Sequence, residues 1–150
     1  MGYTIQSIVA APGVFPPDLP MCLTTVQLSG DAQMIPLGAA AIKYYQIPFL
    51  PLTDEGDNEL PQSLRDLVTQ LSVSGDLAYI EAEIFGGMGI QAYVLVGTGG
   101  RVGSVVLAPG AINAALRSLG FQRGQDRDEF ESLGLGRCRD TDAWLDGAEE

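Results

Sequence analysis

Histidine is absent from this chain, and lysine occurs only once, as Lys43. Without an imidazole, the Ser-His-Asp and Cys-His arrangements are excluded, and a serine–lysine pair would depend on Lys43 alone. Cysteine occurs twice, as Cys22 and Cys138, and no C-x-x-C spacing is present. A zinc site built from histidine and cysteine is therefore excluded as well. The absence of these residue types therefore excludes most known kinds of side-chain catalytic site.

Long apolar runs are also missing. The best candidate, residues 35–52, is interrupted by three prolines, Lys43 and a glutamine, so it falls short of the ~18 apolar residues that a membrane span requires. Residues 1–10 lack the basic start of a secretory signal, and their apolar positions alternate as in a strand. We therefore expect a cytoplasmic protein that does not associate with membranes, and cytosolic cysteines that stay unpaired.

Negative charge dominates the chain. The net charge is -11, of which residues 1–53 contribute -1 and residues 54–150 contribute -10. An acidic surface repels phosphate backbones, so direct binding to nucleic acid is not expected. Two interpretations of the acids remain open: they keep the protein soluble, or they form a docking face for a basic partner.

Hydrophobic periodicity predicts the fold class. At 150 residues and 46% hydrophobic content, the chain has the size of one domain with one core. Alternating segments predict strands at 3–10, 25–28, 34–37, 77–85, 90–96 and 102–107. Residues 38–46 are ambiguous, because Ala40, Ile42 and Tyr44 alternate as in a strand, but the alanines favour a short helix, which we predict. Helical spacing predicts two main helices, at 59–73 and at 111–119 before Gly120. We predict a single α+β domain over residues 1–150, with an antiparallel sheet of about five to six strands and both main helices on one face.

A glycine-rich break separates two of these strands. Gly86, Gly87 and Gly89 follow Phe85, which predicts a hairpin turn in which one of these glycines has a positive φ or a close neighbour. A second cluster, Gly97-x-Gly-Gly-x-x-Gly103, is similar to part of a dinucleotide loop. Such a loop must open a helix, whereas a predicted strand follows here. No cofactor is expected.

Two carboxylates alternate with apolar residues in the strand before that break. Glu81 and Glu83 share one face with Tyr79, while Ile80 and Ala82 occupy the other. Carboxylates in this spacing line a solvated or ion-paired surface, contact a partner, or hold a metal ion and act as acid and base.

The same segment carries a resemblance. Tyr79-Ile-Glu81-Ala82, Phe85-Gly86-Gly87-Met-Gly89 and Gln91-Ala92 resemble a strand-turn-strand motif in a group of small bacterial proteins of uncharacterised function. The similarity extends over residues 112–120 and 128–137, and so covers about residues 77–145. Small acidic proteins of this kind resemble proteins that are encoded next to bacterial toxin genes. The resemblance implies an immunity role, and it transfers no catalytic residue.

The leading hypothesis is a non-enzymatic acidic binding protein, an immunity protein that occupies a basic surface on a toxin. Exposed carboxylates would carry this function, with an aromatic side chain as anchor. The candidate contact residues are Tyr79, Glu81, Glu83, Asp126, Asp128 and Glu129. One alternative is a metal-dependent hydrolase that uses Glu81 and Glu83. Another is a structural subunit whose apolar N-terminal third is buried in a homo-oligomer.

Overall fold

A single sheet organises the chain. The computed structural model describes residues 2–54, 56–85, 88–121, 128–135, 138 and 140–148. Its strands are β1 (Gly2–Ala10), β2 (Val26–Gln27), β3 (Gln33–Pro36), β4 (Leu77–Phe85), β5 (Met88–Gly97), β6 (Arg101–Val102) and β7 (Val106–Leu107). Its α-helices are α1 (Ala39–Tyr45), α2 (Gln62–Leu71), α3 (Ala111–Ser118), α4 (Glu129–Ser132) and α5 (Thr141–Ala148).

Every strand pair is antiparallel. The spatial order is β2-β3-β1-β4-β5, and both β6 and β7 pair with the outer side of β5. β1 and β4 pair along their full length, from Gly2 opposite Phe85 to Ala10 opposite Leu77, so they form the centre of the sheet. The predicted α+β class and antiparallel sheet are confirmed.

The outermost part of the sheet contains a bulge where one strand was predicted. Val96 pairs with Val102 and Tyr93 pairs with Val106, so three residues of the outer segment face two residues of β5. This extra residue is a β-bulge, and it divides the segment into β6 and β7. The Gly103 N–H donates to the Leu95 carbonyl over 2.8 Å. A Cβ at Gly103 would lie 2.9 Å from that oxygen, so the close approach requires glycine.

The main helices match their predicted positions within a few residues. α2 is shorter than predicted because it begins after Pro61, and α3 ends beside Gly120, whose φ is +95°. Positive φ at this position is the usual way in which a helix ends. Within the described ranges, no helix has the length and apolar character needed to cross a bilayer.

The sheet is covered on both faces, because successive side chains of each strand point to opposite sides. We call these sides the α2 face and the α3 face. On the α2 face, α1, α2 and the loops before β2 and α2 cover the sheet residues Ile8, Ala10, Leu77, Tyr79, Val94 and Val96. On the α3 face, α3, α5 and the segment after α4 cover Ile5, Val9, Met34, Ala78, Ile80 and Ala82. The prediction that both main helices cover one face is wrong, since α2 and α3 lie on opposite faces.

Candidate functional site: the Glu81 cluster and the Ile90 groove

A buried carboxylate lies at the centre of the α2 face. Glu81, in the middle of β4, has 0% of its surface exposed. The Thr53 N–H and hydroxyl donate to its Oε1 over 2.9 and 3.0 Å, and the Leu52 N–H lies 3.1 and 3.2 Å from its two oxygens. The Tyr79 hydroxyl donates to Oε2 in a short hydrogen bond. Both oxygens of Glu81 are thus engaged by protein donors. We call Glu81 and its donors Leu52, Thr53 and Tyr79 the Glu81 cluster.

Burial dominates the electrostatics of this Glu81 cluster. Loss of solvent raises the pKa of Glu81 above its ordinary value, although the hydrogen bonds from Tyr79, Thr53 and Leu52 favour the ionised form and oppose that shift. Burial, together with the adjacent carboxylate, raises the pKa of Tyr79 well above its ordinary value. Tyr79 therefore remains a neutral donor throughout the physiological range.

Gln6 extends the cluster along the sheet. It lies directly opposite Glu81 in the β1–β4 pairing and is fully buried. Its Nε2 donates to the Pro48 carbonyl over 3.1 Å, and its Oε1 accepts from the Leu50 N–H over 3.3 Å. Leu50 itself has a φ of +44°, in the left-handed region that a branched side chain seldom adopts. Gln6 and Glu81 together fix the loop between α1 and α2 onto the sheet.

These contacts correct two of the sequence predictions. Glu81 was expected to be an exposed carboxylate and Tyr79 an aromatic anchor for a partner, but both side chains are 0% exposed. The physical reason is that β4 is a central strand, and its face with Tyr79 and Glu81 is covered by the loop at residues 46–53. These residues cannot contact a partner in the folded chain.

The remaining predicted contact residues have different surroundings. Glu83 is half-buried on the α2 face and lies opposite Ile90 in the β4–β5 pairing. Asp128 is half-buried and accepts a hydrogen bond from the Asn113 side chain over 3.1 Å, while its carbonyl accepts from the Ser132 N–H. Asp128 therefore ties α4 to α3. Asp126 and the side chain of Glu129 lie outside the described residues.

The predicted glycine turn is only partly visible. Gly86 and Gly87 lie outside the described residues. Gly89 is not a positive-φ turn residue, because it belongs to β5 opposite Ile84. A Cβ at Gly89 would lie 2.5 Å from Cγ1 of Ile84. The role of Gly89 is therefore close packing within a strand.

A groove of about 400 Å³ borders the Glu81 cluster. We call it the Ile90 groove. It is lined by Leu52, Thr53 and Gly56 of the loop between α1 and α2, by Gly89, Ile90 and Gln91 of β5, and by Leu107, Ala108 and Pro109. Ile90 and Leu107 are each 50% exposed, so two aliphatic side chains face solvent within one groove. Two of its lining residues, Leu52 and Thr53, donate hydrogen bonds to Glu81.

A second recess, of about 510 Å³, differs in chemistry. It lies beside the N-terminal end of α2 and is lined by residues 57–62 and Arg65. The Arg65 guanidinium lies 3.7 Å from the Glu59 carboxylate, so this recess carries both signs of charge. Among the described residues, no group of three or more metal-ligating side chains is close enough to share an ion.

The chain matches no protein-family model, no curated protein and no solved structure. The resemblance noted above and the immunity role that it implies therefore stay predictions.

Sequence reasoning missed the Ile90 groove and the burial of Glu81 for the same reason. Both arise from the loop at residues 46–53: its Leu52 donates to Glu81 of β4 across a separation of 29 positions, and Leu52 and Thr53 line the groove beside β5. One signal was available: Glu81 stands at the centre of the strand at residues 77–85, in which Glu83 is the only other charged residue. When both faces of such a strand are covered, a carboxylate at its centre must accept hydrogen bonds from protein donors.

Proposed function

We propose that this chain is a non-enzymatic binding protein whose acidic surface docks a basic protein partner, in the manner of an immunity protein and its toxin. The charge distribution supports this proposal. Residues 54–150 carry -10 of the net charge of -11. Within that segment the exposed acids include Asp54, Asp57, Glu59, Asp66, Asp76, Asp140 and Asp142. A field of this sign accelerates encounter with a positively charged surface.

The surroundings of Glu81 argue against the hydrolase alternative. A metal ion on Glu81 would have to displace the backbone donors of Leu52 and Thr53 and the Tyr79 hydroxyl. A substrate would also have to reach a side chain that is 0% exposed. The geometry favours a structural role for this carboxylate over general acid–base catalysis, which needs access to the reacting atoms.

The homo-oligomer alternative loses its original support. Most large apolar residues of the first third are already buried inside the chain, as seen at Ile5, Ile8 and Met34, each 0% exposed, whereas Met21, Tyr44 and Phe49 are more than half exposed. The buried majority therefore needs no second subunit to remove it from water. A net charge of -11 also opposes the approach of two copies.

Binding kinetics test the proposal. Proteins captured from the native host lysate would be identified, purified and measured for association rate with this protein at increasing ionic strength. We expect a basic partner whose association rate falls about tenfold between about 0.05 M and 0.5 M salt, because exposed charges are screened beyond the Debye length. An association rate that does not change with salt would contradict the proposal.

Charge variants provide the matched control. Neutralising Asp54 and Asp57 by Asp→Asn substitution should lower the association rate more than it raises the dissociation rate. The control carries Asp18→Asn and Asp31→Asn, which remove the same charge from exposed positions in the weakly charged first third. Equal effects of the two double variants would show that the acids act only through net charge, without a docking face.

A further inference from the structure

We propose that the Ile90 groove binds an extended, lysine- or arginine-bearing segment of the partner, which pairs with the free edge of β5 at Gly89 and inserts an aliphatic side chain between Ile90 and Leu107. This inference rests on the proposed function and specifies its contact site. Three properties of the groove lead to it: an open strand edge, two half-exposed aliphatic side chains, and local charge of one sign.

The open edge follows from the register of β7. The Ala108 N–H donates to the Gln91 carbonyl, so Gln91 presents its backbone groups toward β7. Because backbone groups alternate along a strand, Gly89 presents its N–H and C=O at the same edge. β7 ends at Leu107, and Pro109 has no N–H to donate. In the part of the chain that the structure describes, residues 88–90 pair with β4 alone.

Such an edge is a template for an added strand. The side chains next to it fit an extended segment, because alternate residues of an added strand point to one face. Ile90 points to the α2 face, as does Ala92, and Leu107 lies directly opposite Ala92. The two half-exposed side chains therefore stand on the same side of the sheet. One aliphatic side chain of the added strand would cover both.

Charge selects a basic occupant. No lysine or arginine occurs at residues 44–64, 66–100 or 102–116, which include every segment that lines the groove. Exposed Asp54 follows Thr53 on one wall, and Glu83 lies opposite Ile90. Each of these carboxylates adjoins a lining residue, so a segment with basic residues beside its aliphatic one is attracted, whereas an acidic segment or a second copy of this chain is repelled.

The groove is also formed before binding. Glu81 accepts from the backbone N–H groups of Leu52 and Thr53, which form one wall. Gln6 holds Leu50 just before that wall. A wall that is fixed in the free protein loses little conformational entropy when a ligand binds. This arrangement explains why two buried polar side chains support a loop beside the groove.

A peptide titration followed by NMR tests the inference. The probe is a capped peptide with the repeating sequence Lys-Thr around one central leucine. One control peptide replaces leucine by serine, and another replaces every lysine by glutamate. We expect saturable shifts at the Ile90 and Leu107 methyl groups and at the Gly89 amide with the lysine–leucine peptide. Each control peptide should bind at least about tenfold more weakly, because it lacks one of the two required features.

A protein variant separates the groove from the rest of the surface. Ile90→Ser should weaken binding of the lysine–leucine peptide about tenfold. Val73→Ser is the matched control, because Val73 is 70% exposed and lies outside the groove. Equal affinity for the leucine and serine peptides, tight binding of the glutamate peptide, or shifts that spare Gly89 and Ile90 would overturn the inference. Shifts that grow with protein concentration alone would assign the groove to a second copy and overturn it too.

The two proposals fail separately. If an identified basic partner binds with strong salt dependence but is indifferent to Ile90→Ser, the groove is not the contact site, although the proposed function stands. If no basic partner binds, the proposed function fails, whatever the peptides do.

Discussion

At the residue scale, Glu81 and Asp76 show how two carboxylates of one chain differ in their surroundings. Glu81 is buried, and the loss of solvent raises its pKa. Asp76 is exposed, and the Thr98 N–H and hydroxyl donate to it over 2.8 and 2.9 Å, which lowers its pKa. The two groups therefore contribute to stability with different pH dependence.

We expect Glu81→Gln to lower the free energy of unfolding by roughly 1 to 3 kcal/mol. The NH₂ group of glutamine would face hydrogen-bond donors that face a carboxylate oxygen in the unmodified protein, so at least one donor would lose its acceptor. A raised pKa in the folded state means that the stability Glu81 contributes is full below its unfolded pKa and is lost as pH rises through the folded value. The cost of Glu81→Gln should therefore be larger near about pH 5 than near about pH 8, as measured by urea unfolding.

Asp76→Asn is the control for this measurement. The pKa of Asp76 is lowered by the fold, so its contribution is full above its unfolded pKa and is lost only as pH falls through the folded value. Its cost should stay constant between about pH 5 and about pH 8. A cost of Glu81→Gln that is equally constant, or that grows with pH, would contradict the predicted direction.

At the element scale, α5 closes a gap at the edge of β1. β3 pairs with β1 only from Ser7 onward, so the backbone of Gln6 lies beyond the ladder. The Gln6 N–H donates to the Thr141 hydroxyl over 3.0 Å, and its carbonyl accepts from the Leu37 N–H. The next residue of α5, Asp142, accepts from the Ala39 N–H at the start of α1 over 2.9 Å. Thus α5 docks on the sheet edge and on α1.

This docking depends on a glycine, which gives a second prediction. A Cβ at Gly38 would lie 2.4 Å from Oδ1 of Asp142 and 2.7 Å from Cδ1 of Leu145. Gly38→Ala should therefore push these two side chains aside, loosen the docking of α5 and lower the free energy of unfolding by about 1 kcal/mol. Trp144, the single tryptophan, is 4% exposed in α5, so its fluorescence should shift to the red.

Gly97→Ala is the matched control, because a Cβ there meets Arg101 atoms at 3.5 Å or more, an ordinary contact. It should leave the emission of Trp144 unchanged. An unchanged spectrum in Gly38→Ala would show that α5 accommodates the methyl group and that the close approach at Gly38 is not required.

At the scale of the whole molecule, two cores share one sheet. Leu64 of α2 belongs to the core on the α2 face, and Leu116 of α3 belongs to the core on the α3 face. Both cores use alternate residues of the same strands, as Tyr79 and Ile80 show. If one core is lost, one face of these shared strands is exposed to water and the sheet that supports the second core is weakened. We therefore expect the two cores to unfold together as one domain.

Leucine truncation on each face tests this cooperativity. Leu64→Ala and Leu116→Ala remove fully buried side chains, and each should lower the free energy of unfolding by about 2 to 5 kcal/mol. In both variants, urea transitions followed by Trp144 fluorescence and by far-ultraviolet circular dichroism should coincide. If Leu64→Ala unfolds the α2 face while the Trp144 signal persists, the chain contains two independent units.

The local sequence was sufficient for most elements. Alternation predicted β4 with its observed bounds, and the spacing of Leu64, Leu67, Val68 and Leu71 predicted α2, because these patterns depend on residues a few positions apart. The acidic charge of residues 54–150 is a property of composition alone. Neither result needs knowledge of which elements meet.

Tertiary structure decided where these elements pack and what they bury. Alternation placed Tyr79 and Glu81 on one face of β4, but only the loop at residues 46–53 buries that face and turns Glu81 from an exposed acid into an acceptor for Leu52 and Thr53. The Ile90 groove likewise exists because this loop and β7 lie beside β5. Contacts between distant segments depend on the packing of the whole chain, and no local pattern encodes them.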